Sequence, residues 1–283
     1  MTARLTHYAD GMVWGEGPRW HDGALWLSDT QGRRLWTDAS GPWTATAVEQ
    51  VPNGLWFLPD GRLVAALMHE LRVGVWSGTG WDTYADLSGP AAGPLGDVVG
   101  DAAGNLYVDD VGFNAAVGEP PSPGRIILVR PDGTAEVAAE GVEFPNGMAL
   151  LDDGATLVLA ETSRQRLTAF TVADDRTLRA PRHYADLAAL VGQAARPDGI
   201  CPARGGGVWV ATTTGQTVVH VRDGELVAAI TTTPEFPIAC CADDEGNLFV
   251  TLAATDGEPL MAALARRAVT TRVAIVDLDG RAP

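Results

Sequence analysis

Lysine is missing altogether: the 20 basic residues of this 283-residue chain are all arginine. That excludes Schiff-base catalysis and any phosphate loop built around a lysine. Basic residues are also scarce beside 36 acidic ones, for a net charge of −16, which argues against a nucleic-acid groove on a basic face. The three cysteines, two of them adjacent at Cys240 and Cys241, provide neither a disulfide framework nor a spaced thiolate zinc site, and they fit a reducing compartment. No apolar run approaches the roughly 18 residues of a membrane span, and the opening MTARLTHYADG has no apolar signal segment. The expected location is the cytoplasm, without a membrane partner. The G-x-S-x-G of a serine hydrolase is absent too, and His7, His21, His69, His183 and His220 occupy no recognisable triad motif.

What is present is a globular composition, 46% hydrophobic with 33 glycines and 18 prolines, and a repeat. Six segments combine an acidic or glycine turn with alternating apolar residues: HDGALWLSD (21–29), PDGRLVAAL (59–67), AAGNLYVDD (102–110), DDGATLVLA (152–160), RGGGVWVAT (204–212) and DEGNLFVTL (244–252). Each reads as a β-hairpin. Their marker glycines, Gly23, Gly61, Gly104, Gly154, Gly206 and Gly246, are spaced 38, 43, 50, 52 and 40 residues apart, which is the period of a propeller blade. Third-strand candidates such as RVGVWS (72–77) and RVAIVD (272–277) follow each hairpin, and fourth strands follow in five blades. The sixth blade lacks one, but RLTHYAD (4–10) echoes HYAD at 183–186 and TYAD at 83–86. The expected fold is therefore all-β, a six-bladed β-propeller spanning 1–283 as one domain and closed by the N-terminal strand. A β-sandwich, or α/β alternation using the Ala-rich stretches 184–195 and 259–268, is the competing reading.

Before each hairpin lies the innermost strand of its blade, and alignment brings six tripeptides into register: Glu16-Gly17-Pro18, Asn53-Gly54-Leu55, Gly96-Asp97-Val98, Asn146-Gly147-Met148, Asp198-Gly199-Ile200 and Ile238-Ala239-Cys240. Four of the six leading positions carry an oxygen donor. Asn-Gly and Asp-Gly are ordinary turn dipeptides, but here they precede an apolar strand, and a separate turn follows. Two carboxylates and one or two amides converging on a channel repel one another unless a cation sits between them. An all-oxygen set favours Ca²⁺, Mg²⁺ or Mn²⁺ over zinc.

The phrases GEGPRW (15–20), FPNGMALLDDGATLVLAET (144–162) and RPDGICPARGGGVWVAT (196–212) resemble those of the senescence marker protein/gluconolactonase (regucalcin-like) family. Its members are six-bladed propellers that include lactonases and resemble the squid-type phosphofluoridate hydrolases. The resemblance covers nearly the whole chain and implies one divalent metal ion, Ca²⁺ first, with Mg²⁺, Mn²⁺ or Zn²⁺ as alternatives. It implies metal ligands at Glu16, Asn146 and Asp198, with Asp198 also the catalytic base. In the third blade the family shows an Arg-x-Asn-Asp segment whose Arg and Asn hold a sugar lactone or complete the metal shell. This chain has Pro94-Leu95-Gly96-Asp97, which predicts extra room at Gly96 and a substrate less polar than a sugar lactone.

The expected function is thus a metal-dependent hydrolase of a lactone or related ester acting on a small molecule, with Asn53, Asp97, Trp14 and Trp56 as candidate substrate-binding residues. Phe113 is a further candidate for the apolar wall. A phosphoester or phosphofluoridate hydrolase on the same scaffold, and a non-enzymatic metal-binding interaction propeller, are the alternatives. The sequence does not fix the oligomeric state.

Overall fold

Six four-stranded antiparallel sheets make up the protein, as seen in a computed structural model that describes residues 4–114 and 117–278. Five of the sheets run from an innermost strand outward in chain order. The innermost strands are Gly15–His21, Pro52–Phe57, Leu95–Gly100, Pro145–Leu151, Pro197–Pro202 and Phe236–Ala242. Numbered by these strands, the blades form the expected closed propeller: the inner strand of each packs on that of the next, and blade six returns to blade one. The last blade takes its outer strand from the other end of the chain. Arg4–Met12 pairs antiparallel with Thr270–Asp277, with Arg4 opposite Asp277 and Met12 opposite Thr271, so the HYAD echo marked a real outer strand and no edge is left bare there.

The hydrophobic alternation is explained by how the blades stack. Six buried clusters each fill one interface between neighbouring blades. Leu35, Leu55, Ala65 and Trp81 join blades one and two. Val64, Val98, Val108 and Ile127 join two and three, and Tyr107, Ile126, Leu157 and Phe170 join three and four. Val158, Leu167, Val210 and Val219 join four and five, and Trp209, Val218, Val250 and Ala274 join five and six. Met12, Leu25, Phe249 and Val273 seal the closure between six and one. A central strand such as Leu63–Leu67 is buried on both faces and so reads as a continuous apolar run. An outermost strand such as Thr44–Ala47 is exposed throughout.

Every innermost strand carries the same irregularity. The pairing register slips between Glu16 and Arg19, Pro52 and Leu55, Leu95 and Val98, Pro145 and Met148, Pro197 and Ile200, and Pro237 and Cys240. These are β-bulges at the aligned tripeptides, and a bulge re-aims the side chain it carries. The glycine that follows most of the channel residues serves blade packing. A Cβ on Gly54 would lie 2.4 Å from the backbone nitrogen of Val98, and one on Gly147 would lie 2.4 Å from that of Ile200. Neighbouring inner strands touch backbone to backbone at these points. The two Ala-rich stretches do turn helical, but only as short pieces, α1 (Leu187–Val191) and α2 (Leu260–Ala265). Among the described residues no helix is long and apolar enough to cross a membrane.

Candidate metal centre and substrate cavity

The bulges of four blades bring Glu16, Asn53, Asn146 and Asp198 to the floor of one open cavity of about 720 Å³. Three of the four are held by side chains that line the same cavity. Trp14 donates its indole N–H to Glu16 Oε1 at 2.8 Å, and Thr213 donates its hydroxyl to Asp198 Oδ2 at 2.7 Å. Thr162 receives the Asn146 amide at 3.4 Å and donates to the Pro197 carbonyl at 2.7 Å, tying blade four to blade five.

The electrostatics are those of an anionic hole. Burial pushes the Glu16 carboxyl well above the usual carboxylate range, and the nearby Asp198 charge pushes it further. Burial likewise raises Asp198 to about 6, an effect opposed by the Thr213 hydroxyl and the Asn146 amide and reinforced by the charge of Asp97. A group destabilised as an anion by burial and by a like charge is stabilised by a cation. Among the described residues no three carboxylate, imidazole or thiol groups converge on one point, so two carboxylates and the amide oxygens of Asn146 and Asn53 form the available set. That set fits a hard divalent ion that accepts neutral oxygen ligands.

The walls above this floor are largely apolar: Met68, Phe144, Leu260, Met261 and Leu264 line them together with Trp14. Helix α2 forms one side, held by Leu260 and Ala263 in a cluster with Ile238 and Val269. Arg196 is the one basic side chain among the described lining residues, and its Nη1 is buried without a hydrogen-bond partner.

Below the floor the channel is plugged. Arg19, three residues beyond Glu16, donates to Asp97 Oδ1 and to the Val98 carbonyl, each at 2.9 Å, while Asp97 Oδ2 accepts from the Met148 backbone N–H at 3.2 Å. Asp97 therefore does not line the upper cavity. It stands where four of the other five blades carry glycine and blade six carries Ala239, and its side chain is engaged on the far side of the floor. Trp56 is absent from the cavity as well. It sits further along its strand, beyond the bulge, where its ring lies 5.5 Å from the Arg19 guanidinium, and it lines openings at the opposite end. Phe113 is buried against Phe144, behind the wall, and His69 is exposed away from the cavity. Trp14 and Asn53 do line it.

The expected room at Gly96 is not there. A Cβ on Gly96 would stand 2.3 Å from Oδ1 of Asp109, which reaches in from the adjacent strand. Sequence reasoning missed Asp109, Arg19, Thr213 and Arg196. Arg19 was legible inside GEGPRW, since a residue past the bulge points down the channel; Asp109 had no signal, because its importance depends on the strand register.

No curated protein matches the sequence. Among solved structures, a luciferin-regenerating enzyme superposes with a TM-score of 0.81 at 17% identity, covering 98% of this chain and 96% of its own. A gluconolactonase from Xanthomonas campestris gives 0.76 at 23% identity, with 97% and 90% covered. A calcium-binding protein, regucalcin, from Agrobacterium tumefaciens gives 0.76 at 19%, with 95% of each chain covered. The family described as the SMP-30/gluconolactonase/LRE-like region matches residues 14–254. The chain belongs to the SMP-30/gluconolactonase/LRE-like family.

Proposed function

We propose that the protein is a metal-dependent hydrolase of a lactone or related ester, acting in the cytoplasm on a small-molecule substrate. The observation that carries this reading is the convergence of four oxygen donors, each from a different blade, on the floor of a cavity with apolar walls. Glu16, Asn146 and Asp198 hold one divalent cation, Ca²⁺ first, and Asn53 stands ready on the remaining side. Two of the similar structures are of a gluconolactonase and a calcium-binding protein, and both properties are assigned by this proposal to the present chain.

When bound, the cation supplies Lewis acidity at the ester carbonyl oxygen. The chain's own residues do the rest. Asp198, fixed on one oxygen by Thr213, takes the proton of the attacking water. Trp14 holds the Glu16 carboxylate in place through its indole N–H, as an outer partner orients a ligand. Asp198 returns that proton to the ring or ester oxygen as its bond to the carbonyl carbon breaks and the alcohol forms, and Arg196 donates a hydrogen bond to the carboxylate that is produced. The apolar wall favours a ring with few hydroxyls, because Pro94, Leu95 and Gly96 offer no side-chain polar group to reward a sugar.

A panel of lactones, aryl esters and a phosphotriester tests the proposal, assayed after chelation and after resupply of Ca²⁺, Mg²⁺ or Mn²⁺. Lactone or ester hydrolysis that disappears on chelation and returns with one ion is the expected result. Turnover of the phosphotriester alone would replace the substrate class. A cation-dependent rise in melting temperature without turnover of any compound would refute the enzymatic reading.

A further inference from the structure

Two rows of equivalent positions, one per blade, each contain one exception in blade three. The channel position is occupied by Glu16, Asn53, Gly96, Asn146, Asp198 and Ile238, so blade three alone presents no side chain there. The second strand of each blade backs this position. Its register pairs Gly15 with Asp29, Pro52 with Leu67, Leu95 with Asp110, Pro145 with Glu161, Pro197 with Thr212 and Pro237 with Leu252. The residues one step earlier are therefore Ser28, Ala66, Asp109, Ala160, Ala211 and Thr251. Five are small and uncharged, and the carboxylate stands opposite the glycine. The two exceptions meet in space, with Oδ1 and Oδ2 of Asp109 at 2.3 and 2.7 Å from where a Gly96 Cβ would be. Asp109 fills from behind the place a side chain at 96 would take.

The fold gives the Asp109 carboxyl no side-chain partner. It is 0% exposed, and neither carboxyl oxygen completes a hydrogen bond of normal geometry; the backbone N–H groups of Gly96 and Asp97 approach it and only partly oppose the upward push of burial and of the Asp97 charge on its carboxyl. Its neighbour Asp110, equally buried, accepts from the backbone N–H groups of Ala92, Gly93 and Gly112. Loop capping thus explains Asp110 and leaves Asp109 unexplained. A buried carboxyl without a partner is costly, and each such group calls for an unseen water or ion. Asp109 lines the same cavity as Glu16, Asn53, Asn146 and Asp198.

We propose that Asp109 is the third-blade member of the cation site, acting through a water held between its carboxyl and the cation in place of the missing side chain at 96. This rests on the cation site proposed above. The water follows from reach: the carboxyl stands where a Cβ would be, short of the distance that Glu16, Asn146 and Asp198 cover from their own Cβ atoms. The absence of three converging acidic groups among the described residues agrees with this indirect role.

The test titrates Ca²⁺ and Mn²⁺ calorimetrically into the full chain and melts the chelator-treated protein, for wild type, Asp109→Ala, Asp109→Asn, Gly96→Asn and the double variant Gly96→Asn with Asp109→Ala. Both Asp109 variants are expected to bind about tenfold or more weakly, as outer partners of a metal do when lost, and to melt at or above the wild-type temperature without metal. Gly96→Asn alone should melt lower, because the new side chain meets Asp109. The double variant should regain both melting temperature and affinity. Wild-type affinity in Asp109→Ala and Asp109→Asn, or a Gly96→Asn that melts normally, overturns the inference. Wild type that binds neither ion overturns the cation site itself, and the inference with it.

Discussion

Gly147→Ala adds one methyl group, and the structure sets what that group must displace. Its Cβ would lie 2.4 Å from the backbone nitrogen of Ile200, 2.6 Å from the carbonyl oxygen of Asp198 and 2.8 Å from the Cα of Gly199, where ordinary contacts begin at 3.4 Å. None of these atoms is the flexible end of a side chain, so the inner strands of blades four and five must part by about 1 Å, a misfit of the kind that costs roughly 1–3 kcal/mol in an overpacked core. Gly147 is not in the left-handed region, so this cost is contact and not local strain. With a melting temperature that moves a few degrees per kcal/mol in a chain of this size, a fall of about 2–8 °C is expected.

The displaced strands carry Asn146 and Asp198, which flank the contact. A shift of about 1 Å in a catalytic constellation can cost on the order of 100-fold in rate, so hydrolysis should fall further than stability. The assay is thermal melting with and without Ca²⁺, followed by kcat/KM on the best substrate, beside Gly80→Ala as control. Gly80 has open space around it and an ordinary backbone conformation, so that control should be silent. Gly147→Ala with wild-type melting and wild-type kcat/KM would show that Asn146-Gly147 is a turn dipeptide and that blade contact does not require the glycine.

Arg196→Met should raise KM for an ester severalfold while leaving the metal-free melting temperature within about 1 °C, since the Arg196 Nη1 bonds to nothing in the fold; unchanged KM would remove Arg196 from substrate binding. Met12→Ala should cost about 2–5 kcal/mol, because Met12 is 2% exposed in the cluster that seals blade six to blade one; chemical denaturation giving a loss under about 0.5 kcal/mol would show that the closure strand is dispensable. In chelator-treated protein, folded Asp198 holds its proton up to about pH 6 while the unfolded chain releases it near 3.8. The folded state then binds more protons across that window, and stability falls as pH rises, by on the order of 3 kcal/mol for this group alone. Melts from pH 4.5 to 7.5 check the slope, and a stability that rises over that window would contradict the anionic hole.

The architecture was legible because the forces that set it are local and repeated. Alternating strands and acidic or glycine turns recur at blade spacing, and the HYAD echo placed the closing strand Arg4–Met12. The leading residues of the tripeptides were legible for the same reason, since equivalent positions in a radial repeat face one axis. Direction along that axis was not legible. Asp97 and Trp56 belong to the right strands, yet the bulge between Pro52 and Leu55, and the glycine-like slot taken by Asp97, aim them at the plug around Arg19. Depth from the axis was not legible either. Gly96 reads as empty space in one dimension, because the residue that fills it is 13 positions away and reaches it only through the pairing of Leu95 with Asp110.

The plug ties these residues into one electrostatic argument. Arg19 is the channel's positive charge, and its bonds to Asp97 and to the backbone carbonyls of Pro18 and Val98 leave Glu16 and Asp198 unpaired by any arginine. Had Asp97 pointed upward, as its place beside Gly96 suggested, Arg19 would have lost its carboxylate and the floor would have gained another anion. Blade three instead sends one carboxyl down to the arginine and another, from Asp109, over the glycine. The inverted order Gly96-Asp97, against Asn-Gly and Asp-Gly in blades two, four and five, is therefore what separates the plug from the cavity. Exchanging the pair, Gly96→Asp with Asp97→Gly, should release Arg19 and crowd Asp109. The expected result is a variant that melts well below wild type at neutral pH; wild-type melting and cation binding in that variant would show that the order of the two residues is immaterial.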